Sequence, residues 1–244
     1  MNLVIDRGNT QDKVAVFQNN RIVFCSNYNN LSVEILKTIK HSYSQIINAI
    51  YSSVGNNNNK KEIISFLKLN YKVFDRKNLQ TSIKMLYQTT KTLGEDRLAA
   101  IIGAENLYPQ TDLLVIDCGS CITFDFINKT KEYFGGSISC GLKMKFAALH
   151  NFTANLPLLD VIKSAELIGN STQNSILSGV INGTIAEIEG IIKRYKQNFP
   201  QLNVILTGGD AEFLSNNINV KHKIEKNLVL YGLNNIINNA KTNN

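Results

Sequence analysis

The sequence predicts an α/β protein built from two similar halves. Three observations favour this class: a strand-and-turn motif that occurs twice, the hairpin that follows each copy, and an alternation of helices with strands afterwards. The motif is LVIDRG at residues 3–8 and LVIDCG at residues 114–119. In both copies an apolar run typical of a buried strand leads to an Asp and a glycine, and the glycine can adopt a positive φ or leave room for a ligand.

Each copy of the motif is followed by the same layout. Apolar segments at residues 14–17 and 22–24 flank a polar turn after the first copy, and residues 122–134 repeat this pattern after the second. The layout predicts an antiparallel hairpin unit used twice. Chance is the alternative, because Asp-x-Gly alone occurs in many loops, but the shared LVID-x-G favours duplication. Two such halves facing each other would place Asp6 and Asp117 on opposite walls of one cleft.

Helices and strands alternate in the remainder of both halves. Helices are predicted at residues 31–39, 60–67, 98–107, 143–149, 171–195 and 228–237, and strands at 46–54, 71–74 and 203–207. No linker separates the halves. We therefore predict an N-terminal domain at residues 1–110 and a C-terminal domain at residues 111–244.

Composition and charge argue against several classes of protein. With 244 residues, of which 43% are hydrophobic and 18% charged, the chain resembles an ordinary globular protein with a sizeable core. No secretory signal is evident, and without a run of about 18 apolar residues no membrane span is expected. The net charge of +7 forms no basic stripe, so we expect no nucleic acid partner, and a basic surface equally attracts anionic small molecules.

Cys118 and Cys121 form a CxxC pair, which is found in zinc and redox sites. A zinc site would need two more ligands, and the sequence contains no second CxxC and no paired His. Cys118 also lies between Asp117 and Gly119, where the backbone turn is the evident requirement. We therefore predict reduced thiols in a cytoplasmic protein.

The turn at residues 6–10 is a candidate phosphate site. It exposes backbone N–H groups and a hydroxyl, and its Asp can hold Mg²⁺ through water. The sequence contains neither the GxxxxGK[ST] of a P-loop nor a GxGxxG after a strand. A second glycine turn, Gly208-Gly209, follows the strand at 203–207 and could form a platform for adenine or ribose.

Residues 94–97 (GEDR) open an apolar helix and carry candidate functional residues. Asp96 is either a favourable first-turn charge or a functional carboxylate. Arg97 is either a ligand-binding neighbour of that carboxylate or a solvated cation. The spacing alone leaves both alternatives open.

The long helix that begins at Ser171 offers two further alternatives. Ser171 or Thr172 can cap the helix, and Thr172 could instead bind an anion at the N-terminus. Gly179 and Gly183 could permit close packing against another helix, either across a dimer interface or within the chain.

Taken in order along the chain, these motifs resemble those of type III pantothenate kinases, members of the acetate kinase, sugar kinase, Hsp70 and actin superfamily. Each stretch alone is a weak signal, whereas the ordered set is specific. Three positions depart from the family pattern: Ser120 replaces the usual Thr, Cys121 replaces a small residue, and Cys140 stands where a Pro is frequent. The matching stretches are residues 6–10, Tyr87, 94–97, 117–120, 135–136, 152–157, Thr172 and 207–211.

The resemblance implies duplicated ribonuclease H-like domains of the actin-like ATPase type, each a mixed sheet flanked by helices, with a cleft between them. It also implies ATP-dependent phosphorylation of pantothenate to 4'-phosphopantothenate, the first step of coenzyme A biosynthesis. The implied cofactors are ATP with Mg²⁺ and a monovalent cation, K⁺ or NH₄⁺. The implied protein is a cytoplasmic homodimer whose substrate pocket lies near the subunit interface.

The resemblance further implies roles for individual residues. Asp96 would be the general base on the pantothenate hydroxyl, and Asp117 would bind the monovalent cation. The residues that would hold pantothenate are Tyr87, Gly94, Glu95, Arg97 and Thr172. Those that would contact ATP are Asp6, Arg7, Gly8, Asn9, Thr10, Lys13, Ser120, Gly208 and Gly209.

Two other functions stay open on the sequence. A kinase of the same superfamily could act on another small hydroxylated metabolite, and only the acceptor residues Tyr87, 94–97 and Thr172 distinguish it. A nucleotide-binding regulator without turnover is the second alternative. The presence of Asp96 together with both Asp-x-Gly turns argues against that regulator.

Overall fold

The computed structural model describes residues 1–8, 10–53, 59–75 and 81–242. The strands in chain order are β1 (Asn2–Arg7), β2 (Asp12–Gln18), β3 (Arg21–Tyr28), β4 (Asn48–Ser53), β5 (Lys72–Phe74), β6 (Lys84–Met85), β7 (Leu113–Cys118), β8 (Cys121–Ile127), β9 (Glu132–Cys140), β10 (Asn203–Thr207) and β11 (Lys223–Ile224). The helices are α1 (Val33–Ser42), α2 (Lys60–Asn70), α3 (Glu95–Leu107), α4 (Leu142–Asn151), α5 (Thr172–Asn198), α6 (Ala211–Ser215) and α7 (Leu228–Thr242), with a 3₁₀ turn at Thr90–Thr92. They form two compact units: Met1–Pro109 with Leu228–Asn244, and Gln110–Asn227.

The first unit is organised around a mixed sheet with the strand order β3-β2-β1-β4-β5. β1, β2 and β3 are antiparallel, as the predicted hairpin unit requires, whereas β4 runs parallel to β1 and β5 parallel to β4. Residues 3–5 of β1 are fully buried because the strand is central and covered on both faces. α1 and α2 cover one face with their apolar residues, and Ser32 caps α1 by accepting a hydrogen bond from the Ile35 N–H.

α3 and α7 pack against each other and against the same unit. Gly232 of α7 lies where the two helices touch, since a Cβ there would collide with the Ala99 carbonyl. A buried hydrogen bond from Asn2 Nδ2 to Asn234 Oδ1, 2.8 Å long, ties α7 to β1. The C-terminal helix therefore belongs to the first compact unit, although the sequence placed residues 228–244 with the second half. The predicted boundary between two domains near residue 110 stays a prediction.

The second unit repeats the design of the first. The strands that belong to this unit follow the order β11-β10-β7-β8-β9, with β7, β8 and β9 antiparallel and β10 parallel to both of its neighbours. Apolar residues of β7, β8, α4 and α5 form its core, among them Leu114, Phe124, Phe146 and Ile181. The predicted α/β class and its repeated hairpin unit are confirmed.

α5 has 27 residues, and Ser171 is its N-cap, with the Ser171 hydroxyl accepting a hydrogen bond from the Asn174 N–H. By length and composition alone, α5 is also a described helix that could cross a membrane: an 18-residue window has a mean hydropathy of 1.3, and 33% of it is buried. Core helices pass the same test. Ile181, Ile188 and Ile192 of α5 are fully buried in the second unit, so we assign the helix to its core.

Candidate active site

The first Asp-x-Gly turn joins β1 to β2. Asp6 lies near the end of β1, directly across from Lys13 in β2 and from Ser52 in β4. The Gly8 N–H donates to the Gln11 carbonyl at 3.1 Å and closes the turn. Thr10 is exposed on it, and Asn9 lies outside the described residues. The turn thus presents a carboxylate, an ammonium-bearing side chain and a hydroxyl within one short stretch of the first unit.

Arg7 lies behind this turn and is only 2% exposed. Its Nε and Nη2 donate to the two carboxylate oxygens of Asp12, both at 2.9 Å, and its Nη1 donates to Asn59 Oδ1 at 2.8 Å. Burial acts to lower the pKa of Arg7, but the hydrogen bond and charge of Asp12 outweigh it, so that the pKa is raised. Sequence reasoning grouped Arg7 with the ATP contacts. In the structure Asp12 and Asn59 hold its guanidinium, and the contact of Arg7 with ATP stays a prediction.

The acceptor motif is built on the first turn of α3, where Gly94 is the N-cap. Asp96 Oδ1 accepts a hydrogen bond from the Arg97 N–H at 2.8 Å, and the same oxygen lies against Gly94, where a Cβ would collide with it. The Arg97 guanidinium carbon lies 5.7 Å from the centre of the Tyr87 ring. The structure thus brings Tyr87, Gly94, Asp96 and Arg97 together around one carboxylate, whose charge the helix N-terminus favours.

The second Asp-x-Gly turn joins β7 to β8. Asp117 near the end of β7 is in register with Thr207 of β10, so the chain that follows β10 passes beside it. Gly208 has φ +95°, and a Cβ there would collide with Asp117 Oδ1 and the Cys118 carbonyl. The Gly141 N–H donates to the Ser120 carbonyl at 3.1 Å. The structure therefore assembles Asp117, Ser120 and Gly208 at one edge of the second sheet.

Gly209 and Asp210 complete this edge. Gly209 is exposed, and no atom lies within 4 Å of the place where a Cβ would stand. The Asp210 N–H donates to the Cys118 carbonyl at 2.9 Å, which fixes the turn. Burial raises the pKa of the Asp210 carboxyl, Lys143 counteracts this and Asp160 adds to it. A carboxyl group with a raised pKa, next to a glycine with free space beside it, is typical of a functional site.

The CxxC pair lies beside the same turn. Burial, followed by the charges of Asp117 and Asp210, raises the pKa of the Cys118 thiol, so the thiolate that a metal or a redox reaction requires is disfavoured. Across the described ranges, no group of three or more His, Cys, Asp or Glu side chains is placed to hold a metal ion. The side chain of Cys118 is fully buried and packs in the apolar core of the second unit.

Thr172 lies in the second unit, at the first position of α5, and is exposed. Because Ser171 supplies the cap, the Thr172 hydroxyl is not used for it. Sequence reasoning did not single out Asp12 and Asn59, which hold the first turn, or assign roles to Ser52 and Asp210. Asp12 stands directly opposite Arg7 across the hairpin. The predicted hairpin contained that signal, because a charged pair at facing positions indicates an ion pair.

Comparison with known proteins decides the family. The family model described as type III pantothenate kinase matches residues 2–194 of the chain. The chain belongs to the type III pantothenate kinase family. A type III pantothenate kinase of Christiangramia forsetii is 42% identical over 99% of this chain and 100% of its own length. Another, from Flavobacterium johnsoniae, is 41% identical over 88% of both chains.

The type III pantothenate kinase family assignment agrees with the fold. A solved structure of a Baf family protein from Campylobacter jejuni covers 98% of this chain and 99% of its own, with a TM-score of 0.66 and 22% identity. Other structural neighbours have actin-like ATPase and sugar kinase folds, so the predicted ribonuclease H-like class is confirmed. The chain is an enzyme of the kinase class.

Proposed function

We propose that this chain transfers the γ-phosphoryl group of ATP to pantothenate, giving 4'-phosphopantothenate in the first step of coenzyme A biosynthesis. The observation that carries the proposal is the Asp96 carboxylate at the start of α3, held by the Arg97 N–H beside Tyr87 in a member of this family. Phosphoryl transfer depends on positioning and charge neutralisation more than on covalent chemistry by the protein. A single well-placed carboxylate and two phosphate turns meet that requirement.

Asp96 acts as the general base on the primary hydroxyl of pantothenate. Its carboxylate is fixed by the hydrogen bond from the Arg97 N–H, so it does not need to reorganise before it accepts a proton. Tyr87, Gly94, Glu95 and Arg97 line the acceptor side, and the guanidinium of Arg97 suits the carboxylate of pantothenate. Thr172, with its hydroxyl exposed at the start of α5, adds a further contact.

The two Asp-x-Gly turns serve ATP and its Mg²⁺. The first turn offers backbone N–H groups, a hydroxyl, an ammonium and a carboxylate, which together fit a phosphate group and its metal. These groups come from Asp6, Gly8, Thr10 and Lys13, and Asn9 is part of the same turn by sequence. The Arg7 guanidinium supports this turn from behind through Asp12, which leaves the Arg7 backbone as its contact with ATP. Mg²⁺ held there would supply charge neutralisation for the phosphoryl group.

The second turn serves the rest of the nucleotide and a monovalent cation. Ser120 contributes a hydroxyl to the phosphates, and Gly208 and Gly209 let the nucleoside approach the backbone, for which the open space at Gly209 is suited. Asp117 binds K⁺ or NH₄⁺. The Asp117 carboxylate and the nearby Cys118 carbonyl are oxygen ligands, which hard cations prefer.

The working form is a cytoplasmic homodimer that uses neither nucleic acid nor a membrane. Support comes from apolar side chains exposed between α4 and α5, where Phe152 is 88%, Leu167 79% and Ile168 84% exposed. Gly179 and Gly183 have no described atom within 4 Å of a Cβ position, so they do not serve close packing against the described part of the chain. A second copy would cover both features.

The Asp96→Asn variant tests the base. We expect kcat to fall about 100-fold or more, on the scale of lost general base catalysis, with an unchanged melting temperature. The measurement is ADP release with and without pantothenate, repeated with other hydroxylated acids and with K⁺ exchanged for Na⁺. Glu105→Gln on the same helix is the matched control and should keep full activity. Near-normal turnover of Asp96→Asn would remove Asp96 from this role.

A further inference from the structure

Ser52, near the end of β4, carries a buried hydroxyl that has no hydrogen-bond partner among the residues that the structure describes. The residue is 1% exposed, and its Oγ is not bonded to any atom of the described chain. Buried polar atoms in native proteins are nearly always paired, and the exceptions need an explanation. A ligand that brings the missing partner is one such explanation.

The Ser52 side chain lines a small cavity inside the first unit. The other walls are mainly apolar and come from α3 and α7, with Leu98, Leu233 and Ile236 among them, while Glu95 lies at the same cavity. It has room for about 20 Å³, whereas a single water needs roughly 10–15 Å³. The cavity therefore admits one or two non-hydrogen atoms, a branch of a molecule and not a whole one.

The position of the cavity connects it to both parts of the candidate site in this unit. Ser52 is in register with Asp6 on the neighbouring strand, so the two side chains project from the same face of the sheet. Glu95, at the same cavity, directly precedes Asp96 in the first turn of α3. A group that fills the cavity would thus lie beside the phosphate turn and the carboxylate that accepts the proton.

We propose that this cavity receives one methyl group of the acceptor's branched carbon and the neighbouring hydroxyl oxygen, with Ser52 as a specificity-determining residue. Pantothenate carries a dimethyl carbon between its primary and secondary hydroxyls. One methyl contacts Leu98, Leu233 and Ile236, and the secondary hydroxyl hydrogen-bonds to Ser52 Oγ. The assignment rests on the proposed function, and it selects acids that bear a hydroxyl next to a branched apolar carbon.

Two substitutions distinguish the contribution of the Ser52 hydroxyl from that of the free volume in the cavity. Ser52→Ala removes the hydrogen bond, so we expect KM for pantothenate to rise about 3–10-fold, with kcat and KM for ATP within about twofold of wild type. Ser52→Thr keeps a hydroxyl but fills the cavity with a methyl, and it should raise KM for pantothenate at least as much. Ser53→Ala, one position along on the opposite face of β4, is the matched control.

A pantothenate analogue without the secondary hydroxyl supplies a second test that does not depend on the folding of a variant. The wild-type enzyme should show a raised KM for it, and Ser52→Ala should bind it no worse than the wild type does. If Ser52 only holds a structural water, Ser52→Ala will lose melting temperature while KM for pantothenate stays unchanged, and the inference is overturned. If the wild type shows no pantothenate-dependent ADP release, the proposed function itself has failed.

Discussion

The two Asp-x-Gly turns share a sequence pattern but are held in place by different forces. Behind the first turn, Arg7 and Asp12 form a buried ion pair with two hydrogen bonds of 2.9 Å. Around the second, glycines allow backbone segments to touch, and Gly208 lies directly against the Asp117 carboxylate. Charge pairing supports one turn, whereas close backbone packing supports the other.

The facing residues of the two hairpins explain this difference. Arg7 stands opposite Asp12 in the first hairpin, and at the matching place in the second hairpin Cys118 stands opposite Ile122. Cys118 and Ile122 are both buried, so an apolar pair fills the place of an ion pair. Buried ion pairs elsewhere can be exchanged for apolar pairs with little loss of stability. The fold thus requires a filled space behind each turn and does not require charge there.

The largest effect should come from breaking the ion pair at one partner. Arg7→Met leaves the Asp12 carboxylate buried without a cation, with the Leu31 N–H as its remaining hydrogen-bond donor, and we expect the free energy of unfolding to fall by about 3–5 kcal/mol in urea titrations. Combining Arg7→Met with Asp12→Ile imitates the apolar pair of the second turn and should restore part of that loss, since the Leu31 N–H then loses its acceptor. A double variant as unstable as the single one would show that the two turns are not equivalent.

The exposed ion pair between Lys226 and Glu212 is the control for this series. Its side chains are 62% and 66% exposed, so Lys226→Met should cost less than about 1 kcal/mol. If Arg7→Met cost no more than Lys226→Met, charge pairing would not be what supports the first turn.

An intermediate effect is expected at the glycines of the second turn. Gly208→Ala places a Cβ at φ +95° against Asp117 Oδ1, so the free energy of unfolding should fall by at least about 1–2 kcal/mol. Gly209→Ala meets no atom and should leave stability within about 0.5 kcal/mol of wild type, while KM for ATP rises because the methyl enters the nucleotide's space. Denaturant titration and ADP-release kinetics on both variants separate the two roles. Normal ATP binding by Gly209→Ala would mean that the open space is not used by the nucleotide.

The repeated strand-turn-strand units could be predicted from the sequence because every signal is local. Apolar runs, an Asp-x-Gly turn and a polar second turn lie within about 30 residues in each half, and the observed strands follow them. The place of α7 could not be predicted in this way. The predicted helix at 228–237 is present, but the unit it joins depends on contacts such as Gly232 with Ala99 and Asn234 with Asn2, which are distant in sequence.

The same limit applies to the candidate site. The order of motifs predicts a role for Asp96 and its neighbours, and the structure places Gly94, Asp96 and Arg97 together because they share the start of α3. The direction of Arg7 is a tertiary property, since a guanidinium next to an Asp-x-Gly turn suits a phosphate as well as a buried carboxylate. That the buried hydroxyl of Ser52 lacks a partner in the described part of the chain can be seen only when burial and neighbours are known.

The smallest predicted effect is a pH-dependent change in stability at Asp210, beside the second Asp-x-Gly turn. Burial raises its pKa in the folded state, so its contribution to stability is present below its ordinary pKa and is lost as pH rises through the raised value. Asp210→Asn should therefore raise the melting temperature at pH 7 by no more than about 2–4 °C, and by nothing in acid where the carboxyl is protonated in both states. Glu34 in α1 gives the opposite sign, because hydrogen bonds from its own backbone N–H and from Ser32 lower its pKa. Glu34→Gln should be slightly less stable than wild type at pH 7, with the difference vanishing as pH falls. An Asp210→Asn variant that melts below the wild type at pH 7 would mean that its carboxylate stabilises the turn, as Asp12 stabilises the first.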